Sequence, residues 1–451
     1  MPSPQPLPIP RPWFRGCDQW RMPSVLSKAR DRPVPLQPKF VKPSRTNLRS
    51  KPMAVATPFD PATAALGTGL VPLENYHSES VFQREKEMIF KKSWLCVGRE
   101  DQAPNPGDYF VQDLPICDTS IIITRNRQNQ LRAFHNMCLH RGNKVAVHPQ
   151  GNVSRFVCGF HGWAYDNDGQ LRHVPDEGSF HGLDKAKMCL REVALDTWQG
   201  FVFINVDPKP AQSLREHLGS LEHMFDGFPH EGMKCVLTLR AEVNANWKLL
   251  MDAYMEAYHV LELHARSAPN AFNSDANPNG HLNSVRLLGP HRSMSIYGNP
   301  EQIPTPAQAL ALKFVFGPSY TPAHSAQALE KVPGVNPDGR SDWAFDSTLV
   351  FPNFSFYTSN GWFLRQMYWP IAPDKSIYES HMYMFEPTDT KGLIGWEHAK
   401  TQLFDVALED LSTVERTQGM LKSGAVNEMY LSDQEVLVRH GHHIVDQIIN
   451  R

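Results

Sequence analysis

Two Cys/His pairs constrain this chain of 451 residues more than any other feature of its sequence. The first pair is Cys138-x-His140, and the second, Cys158-x2-His161, follows after a spacer of seventeen residues. Each pair places a thiolate and an imidazole on one turn, so two turns brought together offer two sulfur and two nitrogen ligands. The pattern therefore predicts a small domain in which two loops meet around a metal group.

Two kinds of metal group fit these four ligands. A structural zinc ion could use them, but zinc sites favour Cys-x2-Cys and His-x3-His spacings. One cysteine and one histidine from each of two loops is the arrangement of a Rieske [2Fe-2S] cluster, in which the cysteines bind one iron and the histidines the other. Gly142, Gly159 and Gly162 let the loop backbone approach such a cluster closely. We favour the [2Fe-2S] cluster and keep zinc as the alternative.

The residues around these loops favour an antiparallel β domain. From residue 95 to residue 206 the chain consists of short β-branched and aromatic runs separated by Asn, Gly, Asp and Pro. A helix is predicted before them, because apolar residues recur among charged ones at helical spacing from Glu79 to Trp94. We assign residues 75–206 to this helix and the β domain.

The first sixty residues differ in composition from the rest of the chain. They contain 13 of the 37 prolines, and 11 Lys or Arg against three acidic residues. Proline at this density interrupts helices and central strands, so we expect residues 1–60 to be a disordered basic leader. The prolines also oppose the amphipathic helix of a transit peptide. Either Met1 or Met53 can be the physiological start.

The second half of the chain, residues 207–451, contains another candidate metal centre. Glu256-x2-His259 places a carboxylate and an imidazole one turn apart on a helix predicted over 246–264. His264 lies five residues beyond, about 140° around a regular helix, so the helix must loosen for both imidazoles to reach one metal. Two imidazoles and one carboxylate form the facial triad of non-haem Fe(II) oxygenases, which leaves coordination positions open.

A candidate for the carboxylate of this triad lies on a helix predicted over 401–422. Asp410 falls within the apolar stripe of that helix, where an unpaired carboxylate would be costly to bury. Binding to iron would compensate its charge, and a salt bridge within the core is the alternative. The neighbouring Asp405, Glu409 and Glu415 point away from the stripe and are predicted to be solvated.

Together these motifs resemble the alpha (large) subunit of the Rieske non-haem iron aromatic-ring-hydroxylating oxygenases, from about residue 75 to the C-terminus. The family pattern in the second half is matched by Asn246, Trp247, Lys248, Glu256, His259, His264, Asp410, Glu415 and Gln418. The resemblance implies an α+β protein, with a small antiparallel β Rieske domain and a helix-grip (START-like) catalytic domain around a curved antiparallel sheet. It implies a [2Fe-2S] cluster on Cys138, His140, Cys158 and His161, and a mononuclear Fe(II) on His259, His264 and Asp410.

The same resemblance implies the terminal oxygenase of a multicomponent system. Such a protein uses O2 and electrons from a separate NAD(P)H reductase, directly or through a ferredoxin, to mono- or dihydroxylate a hydrophobic aromatic substrate. It implies a head-to-tail homotrimer, with or without a small beta subunit, in which Glu256 connects the cluster ligand His161 to the iron ligand His259. Glu replaces the more common Asp there, which also resembles oxygenases that oxidise or demethylate quaternary ammonium compounds. A non-catalytic Rieske electron carrier is the third hypothesis.

Composition excludes several other classes of protein. No run of 18 apolar residues is present and the formal charge is only -2, so neither a membrane nor nucleic acid is an expected partner. Seven scattered cysteines favour a reducing cytoplasmic location over a disulfide scaffold. No Gly-x-Gly-x-x-Gly motif follows a predicted strand, which is why electrons must come from another protein.

Three further features of the second half carry predictions of their own. Residues 268–340 are rich in Pro, Gly, Asn and Ser and are predicted to be a long, partly irregular segment that covers the catalytic domain. Three histidines near the C-terminus lack the organisation of a ligand set and are predicted to be surface residues; these are His440, His442 and His443. Five aromatic residues are candidate walls of a substrate pocket, with sheet core as the expected role of most of them; these are Phe351, Phe354, Phe356, Trp362 and Phe363.

Overall fold

The computed structural model describes residues 63, 65–316, 329–387 and 389–450, and the backbone of residues 19–21, with the side chains of 314–316 excepted. The rest of the predicted leader lies outside the described residues. Three small antiparallel sheets come first along the chain, and one large sheet with most of the helices comes second. The predicted α+β class is therefore confirmed.

Short strands joined by tight turns form the three small sheets. The strands of the first half are β1 (Gln19–Arg21), β2 (Val71–Pro72), β3 (Leu95–Arg99), β4 (Asp108–Leu114), β5 (Thr119–Arg125), β6 (Leu131–His135), β7 (Gln150–Asn152), β8 (Phe156–Val157), β9 (Ala164–Tyr165), β10 (Leu171–His173), β11 (Ala194–Trp198) and β12 (Phe201–Asn205). The strand orders of the three small sheets are β6-β5-β4-β7, β11-β12-β3 and β10-β9-β8. One Cys/His loop connects β6 to β7, and the other connects β8 to β9. Two neighbouring sheet ends therefore present the two loops.

The second half is organised around one eight-stranded sheet. The strands of this half are β13 (Met233–Val243), β14 (Ser284–Leu288), β15 (His291–Tyr297), β16 (Trp343–Val350), β17 (Phe354–Ser359), β18 (Trp362–Ala372), β19 (Lys375–Phe385) and the short β20 (Glu428–Met429). The order of the large sheet is β1-β13-β19-β18-β17-β16-β15-β14. Pairing within the large sheet is antiparallel except between β1 and β13. Strand β20 pairs with β2.

The predicted covering segment 268–340 contributes to this sheet as well as covering it. Strands β14 and β15 form a hairpin within the segment, and β15 pairs with β16. Alternating polar and apolar residues in β15, such as Ser293, Met294, Ser295 and Ile296, are typical of a strand. The prediction of a partly irregular segment did not include this hairpin, because the surrounding Pro, Gly and Asn residues obscured the alternation.

Seven α-helices lie among the described residues: α1 (Glu79–Glu85), α2 (Leu214–Leu218), α3 (Trp247–Ala253), α4 (Val260–Leu263), α5 (Pro306–Phe316), α6 (Gly392–Leu421) and α7 (Val436–Ile449). The single helix predicted over 246–264 is broken into α3 and α4, with an irregular turn between them. Helix α6 begins nine residues before the predicted start at 401. None of the described helices combines the length and the apolar character needed to span a bilayer.

The two faces of the large sheet have different partners. On one face, aromatic residues pack against the Rieske-like half, as where the rings of Phe201 in β12 and Phe354 in β17 lie 4.8 Å apart. Phe351, Phe356 and Phe363 belong to the same buried cluster, so four of the five predicted pocket walls are core residues. On the other face lies α6, and between that face and α6 there is a cavity.

The N-terminal helix α1 is anchored to the second half of the chain. Its Glu85 accepts hydrogen bonds from the ammonium of Lys248 at 2.5 Å and from the indole of Trp247 at 2.9 Å, and all three side chains are buried. Nearby, His442 Nε2 lies 3.2 Å from the Asp252 carboxylate.

Both His442 and its neighbour His440 are buried. The prediction that they are surface residues was wrong, because α7 turns their face towards the core. His443 is exposed, as predicted.

Candidate metal centres and substrate cavity

The two Cys/His loops have the same backbone construction. In the first loop, the N–H of Cys138 donates to the carbonyl of Asn143 at 2.8 Å, and the carbonyl of Cys138 accepts from the N–H of Gly142 at 2.9 Å. The second loop repeats both bonds at the same lengths around Cys158. Each loop turns at a glycine in the left-handed region, with φ of +78° at Gly142 and +74° at Gly162. The two loops are therefore matched halves of one site.

The imidazoles of the two loops converge on one point. His140 Nδ1 and His161 Nδ1 lie 3.1 Å apart, so the opposite nitrogens, Nε2, point away from the site. The ring of His140 stacks on Trp163, with centroids 5.0 Å apart and planes inclined by 8°. Cys138 and Cys158 are buried beneath them. Two thiols and two imidazoles on facing loops fit a Rieske cluster.

Hydrogen-bond donors surround the two sulfur atoms. Tyr165 OH lies 3.4 Å from Cys138 Sγ, and the amide of Asn143 donates to Cys158 Sγ at 3.7 Å. Burial raises the pKa of Cys138. Burial also acts to raise the pKa of Cys158. Hydrogen bonds from the N–H groups of Phe160 and Asn143 outweigh this effect, so the pKa of the Cys158 thiol is lowered. Donors of this kind stabilise sulfur ligands in their anionic form.

A second cluster of ligand atoms lies behind the large sheet. One atom each from His259, His264 and Asp410 can be chosen so that all lie within 4.8 Å of one another. Asp410 Oδ1 is 3.1 Å from His264 Nε2 and 3.7 Å from His259 Nε2, yet it is buried and has no well-aligned hydrogen-bond donor in the part of the chain that the structure describes. A buried carboxylate oxygen without a donor, facing two imidazole nitrogens, fits a facial triad around a metal ion.

A carboxylate orients each of these two histidines from behind. Glu256 contacts His259 Nδ1 and also accepts the backbone N–H groups of Tyr258 and His259. Glu409 Oε2 lies 2.8 Å from His264 Nδ1 and accepts the hydroxyl of Ser267 at 2.7 Å. The prediction that Glu409 is solvated was therefore wrong.

Helical periodicity placed Glu409 on a different face of the helix from Asp410. The prediction failed because His264 and Ser267, which are remote in sequence, pack against the face that carries Glu409. Burial lowers the pKa of His264, but contacts with Asp410 and Glu409 outweigh it and raise that pKa above its usual value.

The motif residue Gln418 has a structural role, since its carbonyl accepts the N–H of Asn246 at 2.9 Å. Glu415 accepts the backbone N–H and side-chain amide of Asn244.

The triad opens onto a cavity of about 600 Å³ between the large sheet and α6. Of the five predicted pocket walls, only Trp362 borders it. Other aromatic residues along it include Tyr254, Phe272, Phe345, Tyr357 and Tyr378. Burial raises the pKa of Tyr254 and Tyr357 well above the usual value, so these phenols are neutral. Among the described residues that border the cavity there is no Lys or Arg.

Two family models match the chain. The Rieske [2Fe-2S] domain matches residues 93–193, and the ring hydroxylating alpha subunit (catalytic domain) matches residues 231–451. Together they cover both candidate metal centres.

Curated relatives match part of the chain. The carnitine monooxygenase oxygenase subunit of Escherichia coli (strain K12) is 34% identical over 197 residues, which is 43% of this chain and 52% of the relative. The large oxygenase component of the naphthalene 1,2-dioxygenase system of Pseudomonas aeruginosa is 37% identical over 210 residues, which is 44% of this chain and 45% of the relative. The chain thus spans about half the length of the curated relatives it matches.

Solved structures share the fold over most of the chain. A quaternary ammonium Rieske monooxygenase in complex with an inhibitor superimposes with a TM-score of 0.68 at 21% identity, covering 86% of this chain and 97% of the other. Naphthalene 1,2-dioxygenase from Rhodococcus sp. superimposes with a TM-score of 0.68 at 24% identity, covering 84% and 94%. With its Rieske [2Fe-2S] domain followed by a catalytic domain of the mononuclear iron type, the chain belongs to the alpha (large) subunits of the Rieske ring-hydroxylating oxygenases.

Proposed function

We propose that the protein is the terminal oxygenase component of a multicomponent system, which hydroxylates a hydrophobic aromatic substrate once or twice. It uses O2 and electrons from a separate NAD(P)H reductase, directly or through a ferredoxin. The observation that carries this proposal is the triad of His259, His264 and Asp410, which opens onto a largely apolar cavity in a chain that also contains two matched Cys/His loops. An electron carrier would need only the loops.

The proposed ligands follow from the geometry of each centre. Cys138, Cys158, His140 Nδ1 and His161 Nδ1 hold the cluster, while both Nε2 atoms of the triad and the Asp410 carboxylate hold the mononuclear iron. When bound, the two groups supply one-electron storage and O2 activation. The described cysteines form no disulfide, which is typical of a reducing compartment, so we place the protein in the cytoplasm.

Glu256 is proposed to connect the two centres across a subunit interface. A carboxylate has about four lone-pair positions, and three are used within the chain, by His259 Nδ1 and the two backbone N–H groups. The remaining position can accept one more donor. In a head-to-tail homotrimer, with or without a small beta subunit, that donor is Nε2 of the partner subunit's His161.

The composition of the cavity favours a neutral substrate. A carboxylate buried there would need a cationic partner, and the described residues around the cavity offer no Lys or Arg. Residues 317–328, which lie outside the described part, contain no Lys or Arg either. Apolar and aromatic side chains instead exclude water from the space next to the iron ligands, which protects reactive species formed there. We therefore favour a neutral arene over an arene carboxylate.

A quaternary ammonium substrate is the second candidate function. Tyr254 and Tyr378 stack with their centroids 5.8 Å apart beside the iron ligands, and such ring faces attract cations. The carnitine monooxygenase relative supports this candidate. The lack of a Lys or Arg among the described residues around the cavity argues against a substrate that also carries a carboxylate, so a quaternary amine without one is the version that fits the cavity.

The decisive experiment is NADH-driven oxygen uptake with a matched reductase. Neutral arenes, arene carboxylates, betaines and quaternary amines without a carboxylate are compared, and product is measured in each case. We expect coupled product from neutral arenes. Coupled product from quaternary amines alone would select the second candidate. Protein that takes up two irons per chain and never a third would refute both and leave an electron carrier.

A further inference from the structure

The substrate cavity is much longer than one aromatic ring. Along α6, the residues that border it recur every three or four positions, from Gly395 through Ala399, Leu403 and Ala407 to Asp410. Fifteen residues of helix separate the first from the last, which corresponds to about 22 Å. A single continuous face of α6 therefore forms one wall.

Strand β19 gives an independent measure of the opposite wall. Tyr378, Met382 and Met384 border the cavity on the same face of the strand. Six residues of strand correspond to about 20 Å. Because two different elements give nearly the same length, the elongation does not depend on one side chain.

The inner and outer ends of the two walls coincide. At the inner end, Tyr378 stacks on Tyr254, which lies two residues before Glu256 and close to the iron ligands. At the outer end, the indole N–H of Trp396 in α6 donates to the carbonyl of Phe385 in β19 at 2.9 Å. The helix and the strand therefore meet at the outer end, and both border the cavity as far as its inner end.

Apolar side chains occupy the stretch between these ends. Leu364 pairs with Met382, and Trp362 pairs with Met384, across β18 and β19, and all four side chains border the cavity. Ala399 faces them from α6, about 16 Å along the helix from Asp410. A compact substrate held at the iron ligands would leave this outer half as apolar surface in contact with water, which is unfavourable.

Resting on the proposed function, we infer that the substrate is an elongated, largely apolar molecule whose reacting end lies at the triad and whose far end lies about 20 Å away, between α6 and β19. The inner end determines the chemistry, and the outer half determines which molecules bind well. Compact arenes and small amines are then weak ligands that fill only the inner end.

Binding of a homologous series tests this inference without turnover. The probes are ω-phenylalkan-1-ols, from benzyl alcohol to a member about 20 Å long when extended. Binding is followed by tryptophan fluorescence, because Trp343 and Trp362 both border the cavity. We expect the Kd to fall by up to about fourfold for each added methylene until the cavity length is reached. A Kd that stops falling after two or three methylenes would overturn the inference.

Blocking the outer half should separate long probes from short ones. Ala399→Phe should weaken the longest probe at least tenfold and change the Kd of benzyl alcohol less than twofold. Thr401→Phe, a similar change on an exposed position of α6, is the matched control and should leave both unchanged. Met384→Trp blocks the same region from β19 and replaces Ala399→Phe if that variant fails to fold. Equal weakening of short and long probes would contradict the inference.

Failure of the elongated substrate and failure of the proposed oxygenase activity would give different results. Turnover of short arenes with a Kd that does not depend on length would refute only the elongated substrate. Length-dependent binding by a protein that takes up two irons per chain and never a third would refute the proposed oxygenase and leave the elongated site intact.

Discussion

The two metal centres of this chain are assembled over very different distances along the sequence. All four candidate cluster ligands lie between residues 138 and 161, on loops with the same backbone hydrogen bonds. The candidate iron ligands come from the two ends of α4 and from α6, which are about 150 residues apart, and both histidines contact carboxylates. A local turn can thus define one kind of metal site, whereas the other depends on the packing of remote helices.

The sharpest test of this comparison is to remove each centre separately. His259→Ala should reduce product formation to background while the visible absorption of the cluster persists. Cys158→Ser should abolish that absorption while ferrous ion still binds at the triad. Iron per chain and the visible spectrum distinguish the two variants. Loss of both signals in His259→Ala would mean that the centres are not structurally independent.

The carboxylate behind His264 should have the next largest effect. Glu409→Leu removes the acceptor of His264 Nδ1–H, and such supporting groups typically change metal affinity by about 10- to 100-fold. We expect the Kd for Fe(II) to rise by that factor, with Glu409→Gln intermediate because its amide oxygen still accepts. Asp405→Asn, on an exposed position of the same helix, is the control. Anaerobic titration against a chelator gives the Kd, and an unchanged value in Glu409→Leu would show that packing alone orients His264.

Glu256 should matter for electron delivery more than for metal binding. Glu256→Gln keeps one acceptor but loses the charge, and we expect product formation to fall by roughly tenfold with both metals retained. Glu256→Asp keeps the charge and is the matched control. Single-turnover reduction of the iron by the pre-reduced cluster measures the step directly. Normal electron transfer in Glu256→Gln would remove it from the proposed connection.

The smallest expected effect lies in the cluster loops. Asn143→Ala removes the amide that donates to Cys158 Sγ, and hydrogen bonds to cluster sulfurs raise the reduction potential. We expect a shift to lower potential on the order of tens of millivolts, measured by protein-film voltammetry. A shift to higher potential would show that Asn143 acts by excluding water instead.

The difference between the centres also explains what the sequence could predict. The convergence of the two loops followed from ligand spacing, because every interaction involved is local. The burial of Asp410 followed from helical periodicity. The prediction that the helix loosens between His259 and His264 was wrong, because the break lies before His259 and α4 fills the four positions between the two imidazoles. Glu409 and the buried His440 and His442 were assigned wrongly, because their environments are made by segments remote in sequence. The length of the cavity depends on the relative direction of α6 and β19, which no local pattern encodes.

The ion pair between Glu85 and Lys248 has a consequence for how the molecule is held together. Glu85 precedes the Rieske domain in the sequence and Lys248 follows it. The Rieske domain is therefore inserted between two segments that pack together in the catalytic half. Breaking a buried pair from one side typically costs about 3 to 5 kcal/mol. A fragment that begins after the Rieske domain would contain Lys248 without its counter-ion. The two halves are therefore expected to unfold as one cooperative unit.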